Sequence, residues 1–189
     1  MPPAQAGPSI TDNRNPAPVF GMVLFLASEL MFFGGLFAAY FSLRTATTTW
    51  PPSDVELDFP LTLAATVVLV ASSFTMHAGL NRLREGDGGG MRRWVGVTIL
   101  LGMAFLAIKG FEFATASFGV GSHAYGSLWF TMLGAHGAHL AVGLALLLVL
   151  LARVPGARPG TARAEAVGYY WHFVDGVWLA IFGVIYLIR

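Results

Sequence analysis

Apolar residues in this chain run nearly unbroken for about twenty residues at a time, the length a helix needs to cross the hydrocarbon core of a bilayer. Five such runs predict five transmembrane helices, at 19–43, 61–80, 94–116, 128–152 and 167–188. Turn-forming residues punctuate them: Trp50-Pro51-Pro52 and Pro60 before the second, glycines at 86–90 before the third, glycines at 119–126 before the fourth, and a Pro/Gly stretch at 155–160 before the fifth. No connection has room for another domain. Residues 1–18, rich in Pro, Ala and polar groups and without the apolar core of a secretory signal, read as a disordered arm. The first helix must then direct insertion. The expected fold is an all-α integral membrane bundle, with 19–189 as a single five-helix domain.

Composition agrees with that reading. In 189 residues, 56% are hydrophobic and only 11% charged, and the mean hydropathy of +0.66 lies outside the range of soluble domains. A net charge of +1, with no basic stretch denser than Arg82, Arg84, Arg92 and Arg93, leaves no footprint for nucleic acid. The absence of cysteine excludes disulfides, thiolate zinc sites, iron–sulfur clusters and cysteine-ligated copper. Lys and Arg near short loops are retained in the cytoplasm. One loop holds Arg82, Arg84, Arg92 and Arg93, and another holds Arg153, Arg158 and Arg163. The alternate loops hold Arg44 against Asp54, Glu56 and Asp58, and then only His123. The N-terminus is therefore expected in the cytoplasm and the C-terminus outside.

An ionisable group at mid-bilayer costs about 2.5–3.5 kcal/mol on insertion scales, so each needs a partner. Inside the runs lie Glu29, His77, Lys109, Glu112, His136, His139, His172 and Asp175. At ~1.5 Å rise per residue, Glu29, His139, Asp175 and His172 fall at similar depth and are expected to meet in one layer. Lys109 and Glu112, one turn apart and farther out, can pair on a single face. His136/His139 and His172/Asp175 are both spaced i, i+3, so each pair is expected to project from one side of its helix. The functional reading is a metal, haem or proton-relay site, with Glu29 as the relay candidate. The structural reading is an interhelical hydrogen-bond network that fixes helix order and docks a partner. No second carboxylate–His helix completes a di-iron box around His136 and His139.

Aromatic residues at the ends of the runs, Trp50, Trp94, Trp129, Tyr169, Tyr170 and Trp171, read as a belt at headgroup depth or, alternatively, as a stacking surface for substrate. Arg153 and Arg163 beside Tyr169 and Trp171 can hold an anionic lipid headgroup. Small residues such as Gly34-Gly35, Ala71-Ser72-Ser73, Gly137 and Gly143 allow close helix approach, which drives association in lipid.

Four motifs in order resemble subunit III of the haem-copper oxidases, the cytochrome c oxidase type. They are Ser28-Glu29-Leu30-Met31-Phe32-Phe33, Trp50-Pro51-Pro52, Gly126-Ser127 with Gly134-Ala135-His136-Gly137-Ala138-His139, and Tyr170-Trp171-His172-Phe173-Val174-Asp175-Gly176-Val177-Trp178. The resemblance runs from Phe20 onward. It implies an accessory subunit of a proton-pumping oxidase that reduces oxygen to water, with no redox centre or catalytic residue of its own. Haem and copper would belong to subunits I and II. This chain would pack on subunit I, bind structural phospholipid and support proton uptake. Glu29, His136, His139, Glu112, His172 and Asp175 match the family's buried polar residues. Many members have seven helices, and this chain begins at what would be their third. The motifs look more like cytochrome c oxidases than quinol oxidases, and membership of a larger respiratory supercomplex is compatible with them. Alternatives are a subunit III-like partner of a quinol oxidase or nitric oxide reductase, a haem-binding anchor, and a self-sufficient proton or solute carrier. Transporters commonly show internal repeats with broken helices, and this chain has neither a repeat nor a Pro inside a run.

Overall fold

The computed structural model describes residues 17–152 and 161–188. It is all-helical: α1 (Ala17–Ala46), α2 (Phe59–Arg84), α3 (Gly88–Thr115), α4 (Ala124–Ala152) and α5 (Thr161–Phe182), the last running on into a π-helical turn, Gly183–Leu187. Among the described residues these five helices are long and apolar enough to cross a membrane. Each contains or nearly contains its predicted run, and α1 takes in Ala17 and Pro18 at the end of the expected arm. The rest of that arm lies outside the described residues.

The helix ends follow from local chemistry. Asp58 caps α2 by accepting the amide of Leu61 at 3.0 Å, and Pro60 occupies the first turn, where its missing N–H costs nothing. The three-residue link from α2 to α3 is tighter. The amide of Gly86 bonds the carbonyl of Leu83 and that of Asp87 the carbonyl of Arg82, a Schellman end that requires left-handed backbone, supplied by Gly86 at φ 83°. Asp87 then caps α3, accepting the amide of Gly90 at 2.8 Å. This turn folds α2 and α3 into the most extensively packed pair of the bundle. Thr75 and Thr98 hydroxyls meet between them at 2.8 Å.

Burial is uneven. In the most apolar stretch of α5, 56% of residues are buried, against 6% in α1. α5 packs on α1, α2 and α4 and is the axis of the bundle; α1 rests on its side against α4 and α5. The core layers are Ala65, Leu69 and Met76 of α2, Val95 and Phe105 of α3, Met132, Leu140 and Leu147 of α4, and Trp171, Val174, Trp178 and Ile181 of α5.

Trp171, expected in an interfacial belt and at a lipid headgroup, is instead in this core and fully buried. The cause is the absence of side chains opposite it. A Cβ at Gly102 would lie 2.6 Å from Trp171 Cη2, and one at Gly143 would lie 3.1 Å from its Cε3, so the two glycines open the slot that the indole fills. Its N–H donates to Ser72 Oγ at 3.0 Å. Trp178, two turns on, repeats the arrangement by donating to Thr66 Oγ1 at 3.0 Å. Trp129 and Tyr170 are buried too, leaving Trp94 and Tyr169 as the well-exposed members of the expected belt.

Candidate functional site

Three polar clusters lie inside the spans, each tying together helices distant in sequence. The first joins α1 to α4. Glu29 Oε2 lies 2.8 Å from His139 Nε2, and His139 Nδ1 lies 2.7 Å from the carbonyl oxygen of Ala135. A carbonyl only accepts, so Nδ1 carries a hydrogen. The contact with Glu29 then holds one further proton, as carboxylate with imidazolium or as carboxyl with neutral imidazole. Phe33 packs edge-on against the imidazole and Phe32 stacks near it, with centroid separations of 5.2 and 6.3 Å. These rings exclude water and strengthen whatever electrostatics the pair carries.

The second cluster joins α2 to α5. Ser73 Oγ hydrogen-bonds Asp175 Oδ2 and sits 2.9 Å from His172 Nδ1. A hydroxyl has one hydrogen to give, so with Asp175 ionised Ser73 accepts from a protonated His172 Nδ1, and with Asp175 neutral Ser73 accepts from the carboxyl and donates to Nδ1. Asp175 Oδ1 has no hydrogen-bond partner among the described residues.

The third lies where α2, α3 and the π-helical turn converge. Lys109 and Glu112, an i, i+3 pair, form a buried ion pair. Lys109 Nζ also donates to Thr62 Oγ1 at 2.9 Å and lies 4.6 Å from the centroid of the Trp178 ring. Glu112 accepts from Tyr186 at 2.6 Å and from Thr62 at 3.2 Å. Two charges withdrawn from water are tolerable when the remaining donors and acceptors are filled, and here hydroxyls from two other segments fill them.

The expected single layer of Glu29, His139, His172 and Asp175 is therefore divided. No hydrogen bond among the described residues joins the α1–α4 pair to the α2–α5 group. His136 and His139 also part company, contrary to the expectation of one shared side. Residues three apart on a helix differ by about 60° in direction, and in a thin bundle that angle separates two neighbours. His139 faces α1, whereas His136 is 2% exposed and packs on Phe105 and Trp178, with centroid distances of 5.9 and 5.1 Å. Neither of its ring nitrogens has a partner among the described residues. With Lys109 it lines an apolar recess of ≈ 180 Å³ between α3 and α4.

Of the expected headgroup residues, Arg163 and Tyr169 are exposed on α5, Trp171 is removed for the reason given above, and Arg153 lies outside the described residues. Among the described residues no three His, Asp or Glu side chains group as a metal-ligand set. Sequence reasoning missed Thr62, Ser73 and Tyr186, the hydroxyls that complete two clusters. Thr62, Thr66 and Ser73, spaced by four and seven, fall on one face of α2, and that strip is the signal that could have found two of them.

Residues 15–188 match the family described as cytochrome c oxidase subunit III. A probable cytochrome c oxidase subunit 3 of Mycobacterium leprae is 45% identical over 184 residues, covering 94% of this chain and 91% of the relative. One from Nocardia farcinica is 42% identical with the same coverage. The cytochrome c oxidase subunit 3 of a Synechocystis species is 38% identical over 175 residues, covering 90% and 75%. The chain belongs to the cytochrome c oxidase subunit III family. Its spans and that membership make it a multi-pass protein of the bacterial plasma membrane, part of an oxidoreductase complex. For a subunit III chain whose α1 is so little buried, the Glu29–His139 contact is a main polar tether of that helix. Glu29→Gln keeps a donor toward Nε2 and is expected to leave α1 docked. Glu29→Leu leaves an unpaired nitrogen and should loosen α1 by about 1–3 kcal/mol. Hydrogen exchange of α1 amides in the two variants checks this, and equal protection in both would refute the tether.

Proposed function

We propose that this chain is an accessory, non-catalytic subunit of a proton-pumping cytochrome c oxidase. In this reading it packs directly on subunit I beside subunit II, binds structural phospholipid, and supports proton uptake and lasting activity, with haem and copper in the partner subunits. The observation that carries it is the family match, which extends over nearly the whole chain and includes every buried ionisable residue described above. The three clusters support a structural role, because each spends its ionisable groups on joining helices to one another. Arg163 and Tyr169, with Arg153, are the residues assigned to the lipid headgroup. Purification through a tag on this chain, followed by native mass spectrometry and absorbance spectroscopy, tests the proposal. Haem- and copper-bearing subunits with retained phospholipid are expected. A haem–iron partner would move the chain to a nitric oxide reductase, and a Soret band from this chain alone would overturn the accessory role.

In the proposed orientation the N-terminus is cytoplasmic and the C-terminus outside, since the arginine-rich connections lie on one side. The cysteine-free sequence makes this directly measurable. A single cysteine at Gly121 should react with an impermeant maleimide in intact cells, and one at Gly89 only after the membrane is opened. The reverse pattern would invert the topology.

A further inference from the structure

His123 closes the start of α4 with an imidazole, where a hydroxyl or carboxylate more often stands. The helix begins at Ala124, and the amide of Gly126 donates to His123 Nδ1 at 2.8 Å, the bond an N-cap side chain makes to the third residue of its helix. A Cβ at Gly126 would lie 2.7 Å from the carbonyl oxygen of Gly119 and 3.3 Å from Nδ1, so glycine at this position lets the ring and the turn come together. A nitrogen that accepts carries no hydrogen, and the neutral ring then has its hydrogen on Nε2. Nε2 lies 3.7 Å from Asp54 Oδ2, in the connection between α1 and α2, and makes no hydrogen bond among the described residues. Ser117 Oγ donates to the Asp54 carbonyl at 3.3 Å and keeps that connection beside the ring. Phe118 and Tyr125 flank the imidazole, with centroids 5.5 and 6.1 Å away. Asp54 is the charged side chain that faces His123, and Tyr125 is its titratable neighbour. One nitrogen is thus committed to α4 while the other stops short of a carboxylate. The side chain is 19% exposed and precedes the α4 span, so protons from the aqueous phase reach it.

We propose that His123 is a proton-operated switch: on protonation the ring releases the first turn of α4 and passes to Asp54. An imidazolium carries hydrogens on both nitrogens, so Nδ1–H would face the Gly126 N–H, donor against donor. The positive end of the α4 dipole opposes a cation at the same place. The ring keeps its proton by turning from the amide, and Asp54 is the acceptor that this turn brings within reach. The capped form therefore binds the proton less tightly than the released form, and the capped fraction falls as pH falls. Imidazole is the side chain that ordinarily changes charge between pH 5 and 8, which places the transition in the physiological range. In the proposed orientation this end of the bundle faces outward, onto the compartment that a proton pump acidifies. The start of α4 then loosens as the proton load builds. The switch itself depends on neither the orientation nor the accessory role.

Hydrogen–deuterium exchange of a peptide spanning residues 119–128, followed in the purified complex from pH 5 to 8 and corrected for the intrinsic pH dependence of amide exchange, tests the switch. Protection is expected at high pH, with roughly fivefold faster exchange below the transition, as loss of an N-cap predicts. His123→Asn supplies a capping side chain that does not titrate and should keep the peptide protected throughout. His123→Ala, with no cap to lose, should exchange fast at every pH. Asp54→Asn removes the acceptor of the released ring and should move the transition to lower pH by less than about one unit, the size an exposed ion pair supports. A flat profile in the unsubstituted protein would overturn the proposal, as would the same transition in His123→Asn or full protection in His123→Ala. A transition unmoved or raised in Asp54→Asn would overturn the passage of the ring to Asp54.

Discussion

Glu112→Leu is expected to destabilise the bundle by about 3–5 kcal/mol, because it leaves the Lys109 ammonium buried without its counter-charge. Lys109 would keep Thr62 as its acceptor and the Trp178 ring beneath it, neither of which carries a full negative charge. Tyr186, which donates to Glu112 at 2.6 Å, would lose its acceptor in the same step. The double change Lys109→Met with Glu112→Leu removes both charges together and should recover most of the loss, since buried ion pairs are replaceable by apolar groups of similar volume. Unfolding of the purified complex by graded denaturing detergent measures the series. A double variant no more stable than Glu112→Leu alone would show that the cluster is not organised around charge compensation.

Trp171→Ala is expected to cost about 3 kcal/mol, at the low end for such a truncation in a soluble core. In lipid the transfer part of that cost largely vanishes, because the medium outside is as apolar as the interior. What remains is lost dispersion around a void: Gly102 and Gly143 cannot fill it, and Ser72 loses its donor. Refilling from the other side tests the account, since Gly102→Ala should be damaging while the indole is present and tolerated once Trp171→Ala has removed it. The thermal midpoints of the four proteins form a double-mutant cycle, and simple additivity would contradict packing in a shared slot.

The helices were legible because a membrane span is written in one property, length of apolar run, and neighbours hardly alter it. The Lys109–Glu112 pairing was equally accessible, since i, i+3 spacing places one over the other whatever surrounds the helix. Contacts between helices were not. Depth alone puts Glu29, His139, His172 and Asp175 together, whereas the rotation of each helix sends them to different partners. Rotation is set by packing detail such as the Gly102–Gly143 slot, whose significance appears only once Trp171 is seen in it. The same slot explains why an aromatic residue near the end of a run is not interfacial. Sequence shows how far along a helix a residue lies and much less about which neighbour it faces.

The hydroxyls of α2 carry a consequence for how the protein is made. Thr66 bonds the carbonyl of Thr62, and Ser72 that of Leu69, so each already has a partner within its own helix. A nascent chain can therefore lodge α2 in the bilayer with neither of these hydroxyls left wanting. The indoles of Trp171 and Trp178 are translated with α5, three helices after α2, and find their acceptors on α2 already in place. Tyr186 is translated after both indoles and donates to Glu112, so the buried Lys109–Glu112 pair gains its last donor only once α5 has entered the bundle.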